Sequence, residues 1–573
     1  MKINDVIKLT GLTAKAIRLY ESKGLITISR TENGYRNYTM QDVEILKQIK
    51  LLRSVGISIS DIKLLFSGVI CLDELIEKRK AEILSESGKS SENYKACESI
   101  LSKGTLDELE AKSFTESEKI STHEHGRLCI GIDIGTTTAC AVVYDIDSRE
   151  QIEAYSLPHN SYIKAGELSE QSPDIIMEKT KKLLFHIIDS YDKIVSIGIT
   201  GQMHGIVYIN SQGKAVSNLI NWQDKRADII IKDNKSTSEL IYDITGVRVP
   251  TGYGIATHYY NMLLGTVPSE AVSLCSIMDL FAMEICESKK PLVHASIGAS
   301  LGLFDIKENT FMYDKLLRLG IDKELLPSIT DKSAIVGKCR GIDVSVPIGD
   351  NQASFLGSVS KNKDTLLVNM GTGSQISYAC NKYTELDGEL ELRPFIEGKY
   401  LACGSALCGG FAYSMLEEFF RSYMVSVGMP DKSQYSTLNS LARQALDNKE
   451  QGLLVDAYFC GKRSEPSKRG SINMIDRYSF TPSALVLGVL KGMCKELYEL
   501  YEGVQDKKAH IVASGGVVKR AEVLRELIAQ CFGASVSTTK ASEEAGTGSA
   551  LFSALATNNI KYNDGFGKYI KEE

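Results

Sequence analysis

The sequence lacks the features that mark secreted, membrane-spanning and metal-cluster proteins. Its thirteen cysteines are an odd number and include no CxxC pair, so neither a disulfide framework nor a zinc cluster is expected. No run of about 18 apolar residues occurs, so we expect no membrane span. The start, MKINDVIKLTG, lacks the apolar core of a signal peptide. These absences predict a cytoplasmic protein with reduced cysteines.

Composition excludes a disordered or fibrous chain, and charge is unevenly distributed. Apolar residues make up 43% and charged residues 24% of 573 residues, as in ordinary globular proteins. At about 150 residues per domain, this length predicts about four domains. The net charge is −6, yet residues 1–63 carry eleven Lys/Arg and six Asp/Glu, which leaves −11 for the remainder. This asymmetry indicates a basic, nucleic-acid-binding segment at the start.

The beginning of the chain has the pattern of a helix-turn-helix. Gly11 ends a first helix, and Thr13 can cap a second, TAKAIRLYESKG. That second helix offers Lys15, Arg18 and Tyr20 to phosphates or base edges. The segment SRTENGYRNYT follows, and its Asn-Gly pair at 33–34 predicts a hairpin turn.

Residues 3–66 resemble the DNA-binding domain of the MerR family of transcription regulators. The runs AIRLYESKGLI, R-x-x-x-G-Y-R-x-Y and LKQIKLLRSVGISISDIKLLF carry the resemblance. It implies a winged helix-turn-helix over residues 1–69, which binds double-stranded operator DNA as a homodimer. It further implies DNA contacts by Arg18, Tyr20, Arg36 and Tyr38. The alternative interpretation is a protein-docking module with a solvated basic face.

Residues 70–126 are more hydrophilic and predict a helical linker. Its segment LDELIEKRKAEIL is a candidate dimerisation helix, with apolar positions Leu72, Leu75, Ile76, Ile83 and Leu84. The heptad pattern is short and imperfect, and Ser and Gly residues follow at once.

Two similar strand–turn–strand segments predict phosphate sites in a duplicated α/β fold. RLCIGIDIGTTTACAVVYDID places Asp133 at the end of a strand, ahead of a Gly-Thr turn, and TLLVNMGTGSQISY repeats the arrangement near Gly371. Turns of Gly and small hydroxyl residues present N–H and O–H groups to phosphates. A strand-end Asp can hold a metal ion, directly or through water. A third loop, at Gly515 and Gly516, allows the backbone to approach a nucleotide closely.

The region from about Leu128 to Thr557 resembles the FGGY family of carbohydrate kinases, within the actin-like (ribonuclease H-like) ATPase fold. ITGQMHGI, NLINWQDKRA and PIGDNQASFLGS carry the resemblance, and GQMHG and NWQDKR are most like the sedoheptulokinase and xylulokinase branches. It implies a multidomain chain with a helix-turn-helix head, a kinase N-terminal domain at 127–357 and a C-terminal domain at 358–573. It also implies ATP-dependent phosphorylation of a ketose with Mg²⁺.

The resemblance assigns roles to individual residues. Asp350 is expected to be the catalytic base and Asp133 to organise Mg²⁺. The expected sugar-binding residues are Gln202, Met203, His204, Trp222, Asp224 and Asn351. The expected nucleotide-binding residues are Thr136, Thr137, Gly371, Thr372, Gly373, Gly409, Gly410, Gly515 and Gly516.

One departure from the family pattern leaves two functions open. Family members usually carry Lys or Arg shortly after the first phosphate turn, where this chain has Ala139 and Cys140. Loss of that charge predicts weakened ATP affinity or turnover. The chain is therefore either a kinase joined to a DNA-binding domain, or a sugar-responsive transcription regulator whose kinase fold acts mainly as a sensor. In either case we expect sugar or ATP to close the cleft and alter DNA binding.

Overall fold

The computed structural model describes residues 1–30, 35–87, 92–102, 125–164, 166–361, 364–371, 373–386, 388–450, 452–462, 465, 467–562, 565–567, 569–570 and 572. No helix in these ranges is long and apolar enough to cross a membrane.

The head, residues 1–69, is a small helical unit. Its helices are Ile3–Thr10, Ala14–Ser22, Met40–Ser54 and Ile59–Phe66, and its strands are Ser29–Arg30 and Arg36–Asn37. The first helix ends at Gly11 with a φ of 66°, and the Thr13 hydroxyl accepts a hydrogen bond from the Ala16 amide at 3.1 Å. The two strands pair antiparallel, as the hairpin prediction requires. The turn residues at 33–34 lie outside the described ranges.

The linker begins with two helices, Leu72–Ser87 and Glu92–Ser102. The first of these is called the linker helix below. Four of its five predicted dimerisation residues are at most 2% exposed within the chain: Leu72, Leu75, Ile76 and Ile83. They pack in a core continuous with those of the head and of the first sheet. The linker helix therefore buries its apolar face within its own chain and does not present it to a second copy.

Two six-stranded mixed sheets form the large body. The first runs Ile335–Cys339, Ile342–Ser345, Ile194–Gly201, Leu128–Ile134, Thr138–Asp145, Glu150–Pro158; the second runs Glu391–Pro394, Tyr400–Ala406, Ser374–Cys380, Thr365–Met370, His510–Ser514, Ser535–Thr538. Leu128–Ile134 comes first in the chain among the strands of its sheet; it pairs antiparallel with Thr138–Asp145 and parallel with Ile194–Gly201. In the second sheet, Thr365–Met370 pairs in the same way with Ser374–Cys380 and His510–Ser514. This repeated topology confirms the predicted duplication.

Helices cover the sheets, and short strands join them. The helices are Pro173–Ser190, Thr237–Thr245, Gly254–Leu263, Ile277–Ile285, Ala295–Leu301, Tyr313–Arg318, Asp350–Ser358, Gly409–Ser426, Tyr435–Asp447, Pro482–Tyr501, Gly516–Arg520, Glu522–Phe532 and Glu544–Ala556, with 3₁₀ turns at Arg226–Asp228 and Lys323–Leu325. The short strands are Tyr162–Lys164, Glu170–Gln171, Val207–Ile209, Leu219–Ile220, Ile230–Lys232, Lys235–Ser236, Ser273–Cys275, Leu292–His294, Phe304–Asp305, Thr310–Phe311, Ser328–Thr330, Leu454–Asp456 and Ser471–Asn473.

The helix Glu544–Ala556 crosses from the second half to the first sheet at backbone contact. A Cβ atom on Gly131 would lie 1.8 Å from the carbonyl oxygen of Gly546, and one on Gly198 would lie 1.9 Å from that of Ser549. Only glycine permits such an approach. The small residues of this segment therefore allow the close packing that its sequence predicts.

The head and linker dock on Glu150–Pro158, the edge strand of the first sheet. The Lys63 ammonium donates to Glu153 Oε2 at 2.7 Å, and the two side chains are 7% and 13% exposed. The hydroxyls of Tyr155 and Tyr191 donate to the same oxygen at 3.0 and 2.6 Å. Although burial opposes ionisation, the ammonium and these donors hold the pKa of Glu153 below its ordinary value. A buried ion pair thus joins the head to the large body.

Candidate functional site

Two carboxylates predicted for catalysis and metal binding face the cleft between the halves. Asp133 is the last residue but one of the strand Leu128–Ile134, just before the Gly-Thr turn. Asp350 is the first residue of the helix Asp350–Ser358. Burial, together with repulsion from Asp350 and Glu543, raises the pKa of Asp133 to about 7. Burial raises the pKa of Asp350 to about 6, an effect that the Arg393 charge and the Asn351 amide oppose. Asp350 thus lies near enough to Asp133 for its charge to raise the pKa of that carboxyl group.

The repulsion between these carboxylates fits a cation. A divalent ion beside Asp133 would offset the charges of Asp350 and Glu543, so the residues present suit such an ion. Within the described ranges, no cluster of three or more His, Cys, Asp or Glu side chains could hold a metal alone. The ion would therefore need water and phosphate oxygens as further ligands, as is usual for magnesium.

The first phosphate turn is held from behind by buried side chains. His159 Nε2 lies 3.1 Å from the Gly135 carbonyl oxygen, and Gln171 donates to the Thr136 carbonyl oxygen at 2.7 Å. Thr137 is exposed, and Thr136 is partly exposed. The turn carbonyls of Gly135 and Thr136 are thus tied back, and the exposed Thr137 is the better placed of the two threonines to meet phosphate oxygens.

The glycine loops of the second half meet at one place. The Gly410 amide donates to the Gly371 carbonyl oxygen at 3.0 Å, and a Cβ on Gly410 would lie 2.3 Å from that oxygen. Gly515 has a φ of 96°, and its Cβ would lie 2.4 Å from the carbonyl oxygen of Met370. The structure therefore brings Gly371, Gly409, Gly410 and Gly515 together.

The nearby positions complete the description of this cradle. Gly409 begins an 18-residue helix, whose N-terminal amides suit an anionic phosphate. Gly373 is exposed, and Gly516 has open space around its Cβ position. Thr372 lies outside the described residues. A cradle of close backbone approaches beside a helix N-terminus fits the nucleotide predicted for it.

A cavity of about 320 Å³ between the halves contains two of the predicted sugar residues, Met203 and His204. His204 has a φ of 73°, its Nδ1 lies 2.9 Å from the Ser300 carbonyl oxygen, and its ring lies 4.3 Å from that of Tyr253. A positive φ is unusual for a residue other than glycine and often marks a functional site. Asn351, in the first turn of the Asp350 helix, does not line the cavity, but its side-chain amide donates to Met203 Sδ at 3.9 Å.

Gln202 and Trp222 connect this cavity to the phosphate turn. Gln202 is 6% exposed, and its Nε2 donates to Gln171 at 3.1 Å. Its Oε1 is buried without a hydrogen-bond partner among the described residues, as expected of a group that awaits a ligand. Trp222 is 46% exposed and donates from Nε1 to the Thr136 hydroxyl at 3.1 Å.

Three of the predicted contact residues are buried by their own chain. Asp224 is 1% exposed, and its carboxylate already accepts hydrogen bonds from the Ser169 amide and the Arg226 backbone and guanidinium. Tyr20 and Tyr38 are 7% and 1% exposed in the core of the head. In this structure Asp224 fixes the loop behind the sugar cavity and both tyrosines pack the head; their contacts with sugar and DNA remain predictions.

Cys140 is one of the two residues, with Ala139, in the stretch where the family pattern predicts a cation. It pairs across the sheet with Asp133 on one side and with Ser156 on the other. Side chains of directly opposed residues share a face of a sheet, so a cation here would lie beside Asp133. Burial raises the pKa of the Cys140 thiol to about 12, so this position adds no charge.

Comparisons with known proteins agree with this geometry. The model of the FGGY carbohydrate kinase N-terminal domain matches residues 128–357, and that of the C-terminal domain matches 366–557. The model of the MerR HTH family regulatory protein matches residues 1–69. The chain is 22% identical to sedoheptulokinase of Mus musculus, over 70% of this chain and 92% of that protein. It is also 22% identical to xylulose kinase of Staphylococcus xylosus, over 74% and 90%.

Solved structures share the kinase fold. The gluconate kinase of Lactobacillus acidophilus has a TM-score of 0.67 at 21% identity, and covers 78% of this chain and 92% of its own. A ligand-bound xylulose kinase from the same organism has a TM-score of 0.66 at 22% identity, with 78% and 93% covered. The paired sheets, the facing carboxylates and the matched domains lead to one conclusion: the chain belongs to the FGGY family of carbohydrate kinases and carries a MerR-type helix-turn-helix domain at its start.

Proposed function

We propose that the chain transfers the γ-phosphoryl group of ATP to a hydroxyl group of a ketose, with sedoheptulose-like sugars as the first candidates. The observation that carries the proposal is the pair Asp350 and Asp133: the Asp350 charge acts on Asp133, and Asp133 precedes the phosphate turn. The helix that begins at Asp350 holds, through Gln352, the strand that lines the sugar-sized cavity. Asp350 accepts the proton of the sugar hydroxyl as its oxygen attacks the γ-phosphorus, and ADP leaves. Magnesium, when bound, would neutralise charge on the phosphates.

The proposed base is suited to neutral pH. A carboxylate with a pKa of about 6 is mostly ionised at pH 7 to 8, and it is more basic than an ordinary aspartate. Its position at a helix N-terminus fixes its direction, because the Asn351 amide donates to Oδ1 at 2.7 Å. The other oxygen, Oδ2, accepts no hydrogen bond from the described residues, and we assign it to the substrate hydroxyl.

A ketose panel tests the proposal. Sedoheptulose, xylulose, ribulose and fructose, with gluconate and glycerol for comparison, are incubated with ATP and magnesium, and ADP and sugar phosphate are measured together. We expect turnover with at least one ketose. Its rate should be lower than in family members that carry Lys or Arg in this stretch, because Cys140 is uncharged. Equal ADP release with and without sugar would contradict sugar phosphorylation.

The alternative function, a sensor that binds sugar without turnover, is favoured by the Cys140 substitution. Trp222 is the only tryptophan of the chain, and it lies exposed between the phosphate turn and the sugar loop. Its fluorescence therefore reports binding without turnover, and Trp222→Phe is the matched control. A saturable fluorescence change without phosphate transfer would support the sensor and exclude the kinase for that sugar.

We further propose that the head binds operator DNA, with the Ser29–Asn37 hairpin as its wing. Lys15 and Arg18 are exposed on the helix Ala14–Ser22. Arg36 is partly exposed, and its Nε donates to Glu21 at 2.7 Å, which raises the pKa of the guanidinium. Lys15 and Arg18 are therefore the strongest candidates for phosphate and base contacts.

Arg18→Ala tests the head. An operator is first selected from random duplex DNA with the full chain, and affinity is then measured over a range of salt concentrations. Loss of a phosphate contact should weaken binding and lower the salt slope by about 1, whereas loss of a base contact should cost about 1–3 kcal/mol and relax specificity. Lys47→Ala, at an exposed position of the helix Met40–Ser54 that pairs with Glu44, is the control. Wild-type affinity and salt slope in Arg18→Ala would contradict DNA binding by this helix.

The docked linker supports a coupling between sugar and DNA. The Lys78 ammonium donates to the Ser156 carbonyl oxygen at 2.7 Å and to Asp61 at 2.6 Å. Ser156 pairs with Cys140, which pairs with Asp133. The linker helix thus contacts the edge strand at Ser156, and Asp133 lies two strands further into the sheet, directly across from Cys140. We propose that ligands in the cleft shift this edge strand and thereby change the affinity of the head for DNA.

A further inference from the structure

Arg393 contacts the sugar cavity, although it belongs to the C-terminal half. It lies on the strand Glu391–Pro394 of the second sheet and lines the same cavity as Met203 and His204. Its side chain is 17% exposed, whereas Glu391, its ion-pair partner at 2.9 Å, is 54% exposed. The guanidinium is therefore enclosed on the cavity side, and its counter-ion is in solvent.

The strand is fixed against the catalytic helix. Gln352, in the first turn after Asp350, donates from Nε2 to the Pro394 carbonyl oxygen at 2.8 Å. On the other side, the Gly349 amide donates to the Ser296 hydroxyl at 3.0 Å, and Ser296 lines the cavity. Arg393 is the residue next to this anchor, so its position relative to Asp350 is set by packed backbone.

The Arg393 guanidinium acts on Asp350 and has few hydrogen-bond acceptors around it. It acts on Asp350 strongly enough to oppose the effect of burial on that carboxyl group. A guanidinium carries five N–H donors, and among the described residues only Glu391 accepts one of them through a side-chain hydrogen bond. A buried arginine that retains donors beside a cavity suits a ligand with several oxygen atoms.

We propose that Arg393 is a substrate-binding residue, which donates hydrogen bonds to hydroxyl or carbonyl oxygens of the sugar beside Asp350. This inference rests on the proposed sugar kinase function. It means that the sugar site is completed across the cleft, with the base on one half and a donor on the other. Because Pro394 is anchored to the helix that begins at Asp350, the donor and the base are held in one arrangement before the sugar binds.

A mutant–analogue cycle tests the inference on the full chain. Arg393→Gln and Arg393→Lys are compared with wild type on the ketose that gives turnover and on its singly deoxygenated analogues. Loss of a charged hydrogen bond should lower kcat/KM for the sugar about tenfold to a hundredfold, with the KM for ATP unchanged. On the analogue that lacks the contacted oxygen, wild type and Arg393→Gln should have equal kcat/KM. The lysine variant should recover part of the loss.

The control is Arg340→Gln, an exposed arginine that pairs with Asp189 at 2.8 Å and does not line the cavity. An equal loss for Arg393→Gln on every analogue, or an equal loss in Arg340→Gln, would overturn a specific contact. If wild type shows no turnover with any sugar, the kinase proposal fails first, and this inference fails with it. Wild-type turnover with an unaffected Arg393→Gln would refute this inference alone.

Discussion

Replacement of Asp350 by asparagine is expected to lower kcat for sugar phosphorylation by about 10²–10⁴-fold. Asparagine keeps the shape of the side chain but cannot accept the hydroxyl proton. The same variant should retain sugar binding, because the amide oxygen still accepts a hydrogen bond. Steady-state kinetics with the preferred ketose, together with Trp222 fluorescence for binding, separate these two effects.

The matched control is Asp343→Asn. Asp343 is a partly exposed aspartate on the strand Ile342–Ser345, and it pairs with Lys338 at 2.6 Å. It should leave kcat unchanged, since an exposed ion pair contributes little. Wild-type turnover in Asp350→Asn would exclude Asp350 as the base and direct attention to Asp133 or Glu543.

Replacement of Lys63 by methionine is expected to destabilise the docked head by about 3 kcal/mol, because it leaves Glu153 buried without its counter-ion. This value is at the low end for a broken buried pair, since the hydroxyls of Tyr155 and Tyr191 still donate to Glu153. The pKa of Glu153 is below its ordinary value of 4.5, so the pair stabilises above that pH and is lost on acidification through the lower, folded value. Urea unfolding of the full chain, read as transition midpoints because the chain is multidomain, measures the effect.

The Lys63→Met variant also tests the proposed coupling between ligand binding in the kinase cleft and operator binding by the head. If the docked head transmits ligand binding, sugar and ATP should change operator affinity in wild type and have little effect in Lys63→Met. Lys47→Met is the control for stability, because Lys47 and its partner Glu44 are about half exposed and their pair should be worth below about 1 kcal/mol. Addition of Glu153→Gln to Lys63→Met should recover stability, since it removes the unpaired charge. Unchanged ligand sensitivity in Lys63→Met would exclude this route of coupling.

The sequence predicted the parts of the site that lie on short local motifs. Asp133 and the Gly-Thr turn, GDNQ with Asp350, and the glycine pairs could all be predicted, because strand ends and turns determine where such residues lie. The duplication of the fold followed from the same repeated segments. Family models and solved structures confirm the kinase family and its fold, and the roles of the individual residues remain predictions.

Contacts between distant segments could not be predicted in the same way. Arg393 follows no motif, and its place in the sugar cavity depends on packing between the halves. Lys63 and Glu153 are 90 residues apart, so nothing local indicates their ion pair. The resemblance to MerR regulators implies that Tyr20 and Tyr38 contact DNA, whereas both are buried in the head. Their burial depends on how the hairpin folds against the helices, which the pattern does not specify.

The crossing helix Glu544–Ala556 has a consequence for biosynthesis. The first sheet begins at Leu128, yet the helix that lies on its glycines is made far later in the chain. During translation that face of the sheet stays uncovered until this helix has left the ribosome. The head has completed its own helices long before, so a nascent chain carries a formed helical head ahead of an unfinished kinase. Chaperones that shield apolar sheets should therefore associate with ribosome-bound chains until the helix Glu544–Ala556 has been made.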